Sequence, residues 1–270
     1  MRASHVATAT FDDPNLVSCA GLAPVSALAE HCGLSGLLER HLSVGGTAGA
    51  NASAKASAVV LGMVAGADSI DDLDVLRHGG MRRLFTDVRA PSTLGTFLRA
   101  FTFGHVRQLD AVAARLLTGL ASRTPLLPGA GKLTFIDIDD TVREVHGYAK
   151  QGAGFGYSGV RGLNALLATV STPNSAPVIA AARLRKGSVN SARGARRIVA
   201  DALMTAKACG AGGTDGSGTV LVRMDSAFFT HDALAPVLTS GACFSVTARM
   251  NPAVVAGRVR CLVCEFGARL

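Results

Sequence analysis

The feature that most restricts what this chain can fold into is a change of period. Up to Ala121 the apolar residues recur at helical spacing. Past the Pro/Gly-rich stretch "SRTPLLPGAGK" (Ser122–Lys132) they alternate, as in strands. Before the change, the pattern predicts helices over Val25–Leu42 (broken at Gly33), Ala52–His78 and Ala90–Ala121, the last with Ser92 or Thr93 as its N-cap. After it, "KLTFIDID" reads as a strand ending at Asp139 and Thr141–Tyr148 as a second. Gly162–Thr172 and Ala176–Arg185 follow as a third and fourth. A helix (Ser191–Gly213), a strand with Asp225 at its end (Gly218–Phe229), a helix (Asp232–Ala242) and a strand (Cys243–Met250) complete the series. Consecutive strands followed by helix–strand alternation predict an α/β chain, with helices packed on a mixed sheet.

Composition narrows the function classes. The chain has 270 residues, 49% of them hydrophobic, enough for a sizeable core. Its longest apolar run, Ala56–Ala67, falls short of the roughly 20 residues that cross a bilayer, so no membrane partner is expected. No signal peptide is expected either, and the six cysteines read as reduced thiols of a cytoplasmic protein. The formal net charge of +8 favours a polyanionic partner, nucleic acid being the commonest.

Two apolar strands end in carboxylates, "TFIDID" at Asp139 and "VLVRMD" at Asp225. If the strands are neighbours, the carboxylates converge at one edge of the sheet. Hard oxygen donors in that arrangement suit Mg²⁺ or Mn²⁺. A bound divalent cation would offset the repulsion within the cluster Asp137, Asp139 and Asp140. Asp137 shares the face of Asp139 and is a supporting metal carboxylate, whereas Asp140 points away. Alone, either Asp139 or Asp225 reads more simply as a turn or helix-capping residue, and Asp225-Ser226 before a helix fits a cap; it is the pair on a basic chain that suggests a metal site.

These motifs together resemble bacterial insertion-sequence transposases of the DDE type. The resemblance runs from about Leu22 to Pro252 and rests on "FIDIDDTVREVHGYAKQGAGFGYSGVRGLNALLATVS", "RLRKGSVNSARGARRIV" and "VLVRMDSAFF". It implies an RNase H-like catalytic core over residues 126–252 behind a helical, DNA-binding region over residues 1–125. Asp139 in Asp139-Asp140-Thr141, and Asp225 in Arg223-Met224-Asp225-Ser226-Ala227-Phe228, take the positions of the first two catalytic aspartates. The implied reaction is Mg²⁺- or Mn²⁺-dependent cleavage and transfer of DNA strands at the ends of an insertion sequence. A homo-oligomer on that DNA and a nucleoid-associated location are compatible with it. The family's third acid is a Glu on a later helix. Here the last acidic residue is Glu265, within an atypical tail (253–270), so the core is expected to be incomplete at its C-terminal end and the enzyme truncated and impaired. A non-catalytic DNA-binding inhibitor of an intact transposase, or a pseudogene product, are the alternatives.

The stretch Arg183–Arg197 carries Arg183, Arg185, Lys186, Arg193, Arg196 and Arg197 with no acid. A basic, Gly/Ser-broken segment entering a helix suits phosphate contacts, so these six are the expected DNA-binding residues.

Overall fold

The computed structural model describes residues 13–146 and 150–248. Tyr148, Met250, Glu265 and the tail 253–270, named above, lie outside the described residues. The chain divides into two compact units, Met1–Thr124 and Pro125–Leu270.

The first unit is helical. Its helices α1 (Leu22–His31) and α2 (Leu34–His41) are separated by Gly33, whose φ of 88° lies where a side chain is strained. Helix α3 (Ala52–Val64) stops short of the expected His78, and a 3₁₀ segment, Asp71–Arg77, follows it. The cause is a glycine cap: Gly66 has a φ of 99°, the Gly66 N–H donates to the Met63 carbonyl (3.0 Å) and the Ala67 N–H to that of Gly62 (2.9 Å), which closes the helix. The long helix expected over Ala90–Ala121 is two, α4 (Pro91–Arg99) and α5 (Phe103–Ala121). Neither Ser92 nor Thr93 is the cap of α4: Ala90 is, with Pro91 in the first turn, where its missing N–H is harmless. At the break, the Thr102 N–H donates to His105 Nδ1 (3.0 Å). Two apolar clusters hold the unit, one around Leu38 and Phe97, the other around Leu76, Met81 and Leu94.

The second unit carries the mixed sheet with flanking helices. Strand β1 (Leu133–Glu144) is a single strand, not two. Strands β2 (Gly154–Phe155), β3 (Arg161–Ser171) and β4 (Val178–Lys186) precede helix α6 (Ala195–Ala208). Strand β5 (Thr219–Met224), helix α7 (His231–Ser240) and strand β6 (Cys243–Val246) follow. The sheet order is β2-β3-β1-β5-β6, with β4 also paired to β3. The β1–β3 and β3–β4 pairs are antiparallel, whereas β5 and β6 run parallel to β1. This is the mixed sheet with flanking helices that the change of period predicts.

The sequence suggested a strand end at Asp139 because the two edges of β1 are paired to different lengths. Its β3 edge is paired from Phe135↔Ser171 to Glu144↔Gly162, but its β5 edge only from Leu133↔Thr219 to Ile138↔Met224. Burial alternates with period two through Ile138 and fades once β5 is gone. Helix α6 begins later than expected, because an Asx turn, Ala192 N–H to Asn190 Oδ1 (2.9 Å), occupies its intended first turn. It buries Ala195, Ile198, Val199, Ala202, Thr205 and Ala206, one stripe at helical spacing, and packs on β1, β3 and β4. Glycine is required where the chain leaves β4: a Cβ on Gly187 would stand 2.0 Å from the Gly162 carbonyl oxygen and 2.4 Å from that of Gly154.

Ile198 is fully buried between α6 and the sheet. Ile198→Ala is expected to lower stability by about 2–5 kcal/mol, read from urea denaturation, because the cavity cannot collapse against a sheet.

Candidate active site

The pairing of β1 with β5 builds the site. Asp137 opposes Arg223 and Ile138 opposes Met224 in the parallel register. This is the last pair of the ladder, and Asp139 and Asp225 are the residues that directly follow it on the two chains. Asp225 follows β5 with an extended backbone (φ −80°, ψ −179°), so the alternation of faces carries through to it. Asp137, Asp139, Arg223 and Asp225 therefore share one face of the sheet, and Asp139 and Asp225 are both exposed.

Each carboxylate has a local anchor. Asp225 Oδ1 accepts from the Ala227 N–H (2.9 Å), capping the 3₁₀ turn Ser226–Phe228, and Phe228 is fully buried beneath that turn. The capping role and the strand-end role of Asp225 coexist. Asp139 Oδ1 accepts from the Asp140 N–H (2.8 Å). No other bond engages either carboxylate among the described residues, so one oxygen of each remains for a ligand. Two carboxylates fit a Mg²⁺ or Mn²⁺ ion, which commonly keeps several waters and adds substrate phosphate oxygens. Among the described residues no group of three acidic, His or Cys side chains forms a fuller cage.

Asp137 is differently placed. Arg223 Nε donates to its Oδ1 (2.6 Å) and Nη2 to its Oδ2 (2.7 Å), a two-pronged ion pair. The same guanidinium lies 4.4 Å from the Phe135 ring centroid. The hydrogen bonds to Asp137 hold the Arg223 pKa above its ordinary value, against partial burial. A metal ion at Asp137 has to displace this guanidinium.

The six basic residues separate into two groups. On the face covered by α6, Arg185 donates through all five N–H groups. Nε and Nη2 reach Asn164 Oδ1 (3.0 and 2.5 Å), Nη1 reaches the Ser191 and Arg193 carbonyls (2.8 and 2.5 Å), and Nη2 also reaches Asp140 Oδ2 (2.9 Å). Asn164 Nδ2 closes the network by donating to Asp140 Oδ2 (2.5 Å). The Arg185 side chain is only 10% exposed, and burial draws its pKa down while Asp140 raises it. Arg183 pairs with Asp201 of α6 (2.7 Å) and is 19% exposed. Lys186, Arg193, Arg196 and Arg197 are exposed. Arg196 has a loose pair with Asp232 (3.7 Å) and Arg197 one with Asp201 (3.1 Å). Sequence reasoning missed the inward use of Arg185. Its signal was a charged residue in register with Asn164, at a buried position of β3.

Removing Arg185 strands a buried carboxylate and two loop carbonyls. Arg185→Ala is expected to destabilise the fold by about 3–5 kcal/mol in urea, and Arg185→Lys, which cannot span all four partners, to recover only part of it.

A family model described as transposase DDE domain group 1 matches residues 2–261. The match extends beyond Leu22–Pro252 at both ends. Among solved structures, the chain is similar to the Mos1 strand transfer complex at 15% identity and a TM-score of 0.23, over 79% of this chain and 63% of that one. It is similar to the Mos1 transposase paired-end complex with left transposon end at 13% identity and a TM-score of 0.23, over 72% and 58%. The chain thus spans less than two thirds of the length of these solved chains. No curated protein matches it.

Proposed function

This chain belongs to the transposase DDE domain group 1 family, and we propose that it acts on DNA as a bacterial insertion-sequence transposase, with Asp139 and Asp225 holding Mg²⁺ or Mn²⁺. The observation that supports this reading is the parallel register of β1 and β5, whose last pair, Ile138↔Met224, immediately precedes Asp139 and Asp225. Divalent ions there would activate a water or a 3′-hydroxyl and steady the leaving oxygen of an in-line displacement at phosphorus. The chain's own contribution is placement. Strand β1 is fixed by its neighbours, Phe228 fixes the turn after Asp225, and each carboxylate keeps an oxygen free of main-chain bonds.

The partner is DNA, at the ends of the element, met by the exposed Lys186, Arg193, Arg196 and Arg197. Arg183 and Arg185 serve this surface from inside, Arg185 by holding the carbonyls of Ser191 and Arg193. The helical region over residues 1–125 is the proposed second DNA-binding part. No helix among the described residues is long and apolar enough to cross a membrane. A nucleoid location and assembly on DNA agree with this reading.

The sequence offers no match to the third acid that the family resemblance calls for, so strand transfer is expected to be slow. The test is metal-dependent cleavage of a labelled duplex carrying the element's ends. Asp139→Asn and Asp225→Asn should each reduce cleavage by about 100-fold, the scale of a misplaced reacting group. Cleavage that survives both substitutions rules out this site. Salt-sensitive binding to the ends with no cleavage by the unaltered chain would identify a DNA-binding inhibitor instead.

DNA affinity should fall steeply between 50 and 200 mM salt, in the manner of about 0.9 ion released per phosphate contacted. The double substitution Lys186→Ala/Arg193→Ala is expected to flatten the log–log slope by about 2, measured by fluorescence anisotropy. An unchanged slope removes these residues from the interface.

A further inference from the structure

We propose that Arg223 is a positioning residue that withholds Asp137 from the metal site, so that the cation is confined to Asp139 and Asp225. This rests on the two-carboxylate site proposed above and goes beyond it by assigning a role to the cation within the site.

Three strand-borne carboxylates, Asp137, Asp139 and Asp225, share one face. Asp137 and Asp139 are two residues apart on β1, about 7 Å along the strand, within reach of a common ion. Left to itself, Asp137 would draw the ion down the strand, away from the end of β5. Arg223 prevents this by geometry. It lies opposite Asp137 in the β1–β5 register and takes both carboxylate oxygens, at 2.6 and 2.7 Å. Its guanidinium is braced on Phe135, 4.4 Å from the ring centroid, so the fork is held from a second side. The pair remains 45% and 36% exposed, so it lies within reach of solvent ions and has to compete with them. Lysine could neutralise Asp137 but could not occupy both oxygens in the fixed plane that arginine uses.

The test is Mn²⁺ binding to the full chain without DNA, by proton relaxation enhancement, which gives both the dissociation constant and the number of waters on the bound ion. Asp139→Asn and Asp225→Asn should each abolish binding. Arg223→Ala, which frees Asp137, should tighten binding on the order of tenfold, since a neighbouring positive charge is lost and a carboxylate is gained. It should also remove one water from the bound ion, a change that a purely structural role would not produce. Arg223→Gln, which keeps the stem over Phe135, is the substitute if Arg223→Ala does not fold. Asp137→Asn/Arg223→Ala should return affinity and hydration to those of the unaltered chain. If the two site variants lose Mn²⁺ while the Arg223 variants match the unaltered chain in affinity and hydration, the withholding role is wrong and the site stands. If Mn²⁺ binding persists in Asp139→Asn and Asp225→Asn, the two-carboxylate site is wrong, and the role of Arg223 falls with it.

Discussion

The second unit depends on the parallel pairing of β5 with β1. Two segments 86 residues apart, marked by Asp137 and Arg223, are brought into one register. Every feature of the face bearing Asp137 follows from the register: the ion pair, the positions of Asp139 and Asp225 just past its last pair, and the turn that Asp225 caps over the buried Phe228. A slip of one residue would turn each of these side chains to the opposite face. Parallel strands cannot be closed by a short hairpin. The register is therefore carried by α6 and by the apolar residues Ile136, Ile138 and Val222, all nearly inaccessible.

The sheet treats its two arginine–aspartate pairs in opposite ways. Arg185–Asp140 lies under α6, and its charges are tolerated because every guanidinium donor has an acceptor. Its value is geometric: it ties the loop before α6 to β1, β3 and β4. Arg223–Asp137 is on the open face, where water weakens the attraction and the net stabilisation is small. A pair in that position is better suited to deciding which group a ligand finds than to holding the fold together.

Much of this was legible in the sequence, in specific places. The period-two alternation of "LTFIDID" and the helical stripe of α6 gave the elements, because burial on one face leaves a regular trace. The strand-end position of Asp225 was readable for the same reason. The continuation of β1 past Asp139 was not, since its outer half is paired on one edge only and carries exposed, charged residues. Nor was the division of the basic residues. Arg185 and Lys186 are neighbours in sequence, yet pleating sends one under α6 and leaves the other exposed. The partnership of Asp137 with Arg223 is a matter of register between distant segments, which local pattern does not encode. In the first unit, the cap at Gly66 ended a helix that apolar spacing alone would have continued.

Strand β4 forms a border of the sheet, and its Ile179 and Leu184 are exposed. An apolar border with unpaired main-chain groups is a template on which a second chain can add a strand, the first step of edge-to-edge aggregation. Two features act against that outcome. The ladder to β3 is irregular between Ala168 and Thr169, which bends the border out of line. Lys186, at the end of the same strand, is exposed and would set its charge against an added strand. An irregular rung and a terminal lysine thus keep the sheet finite.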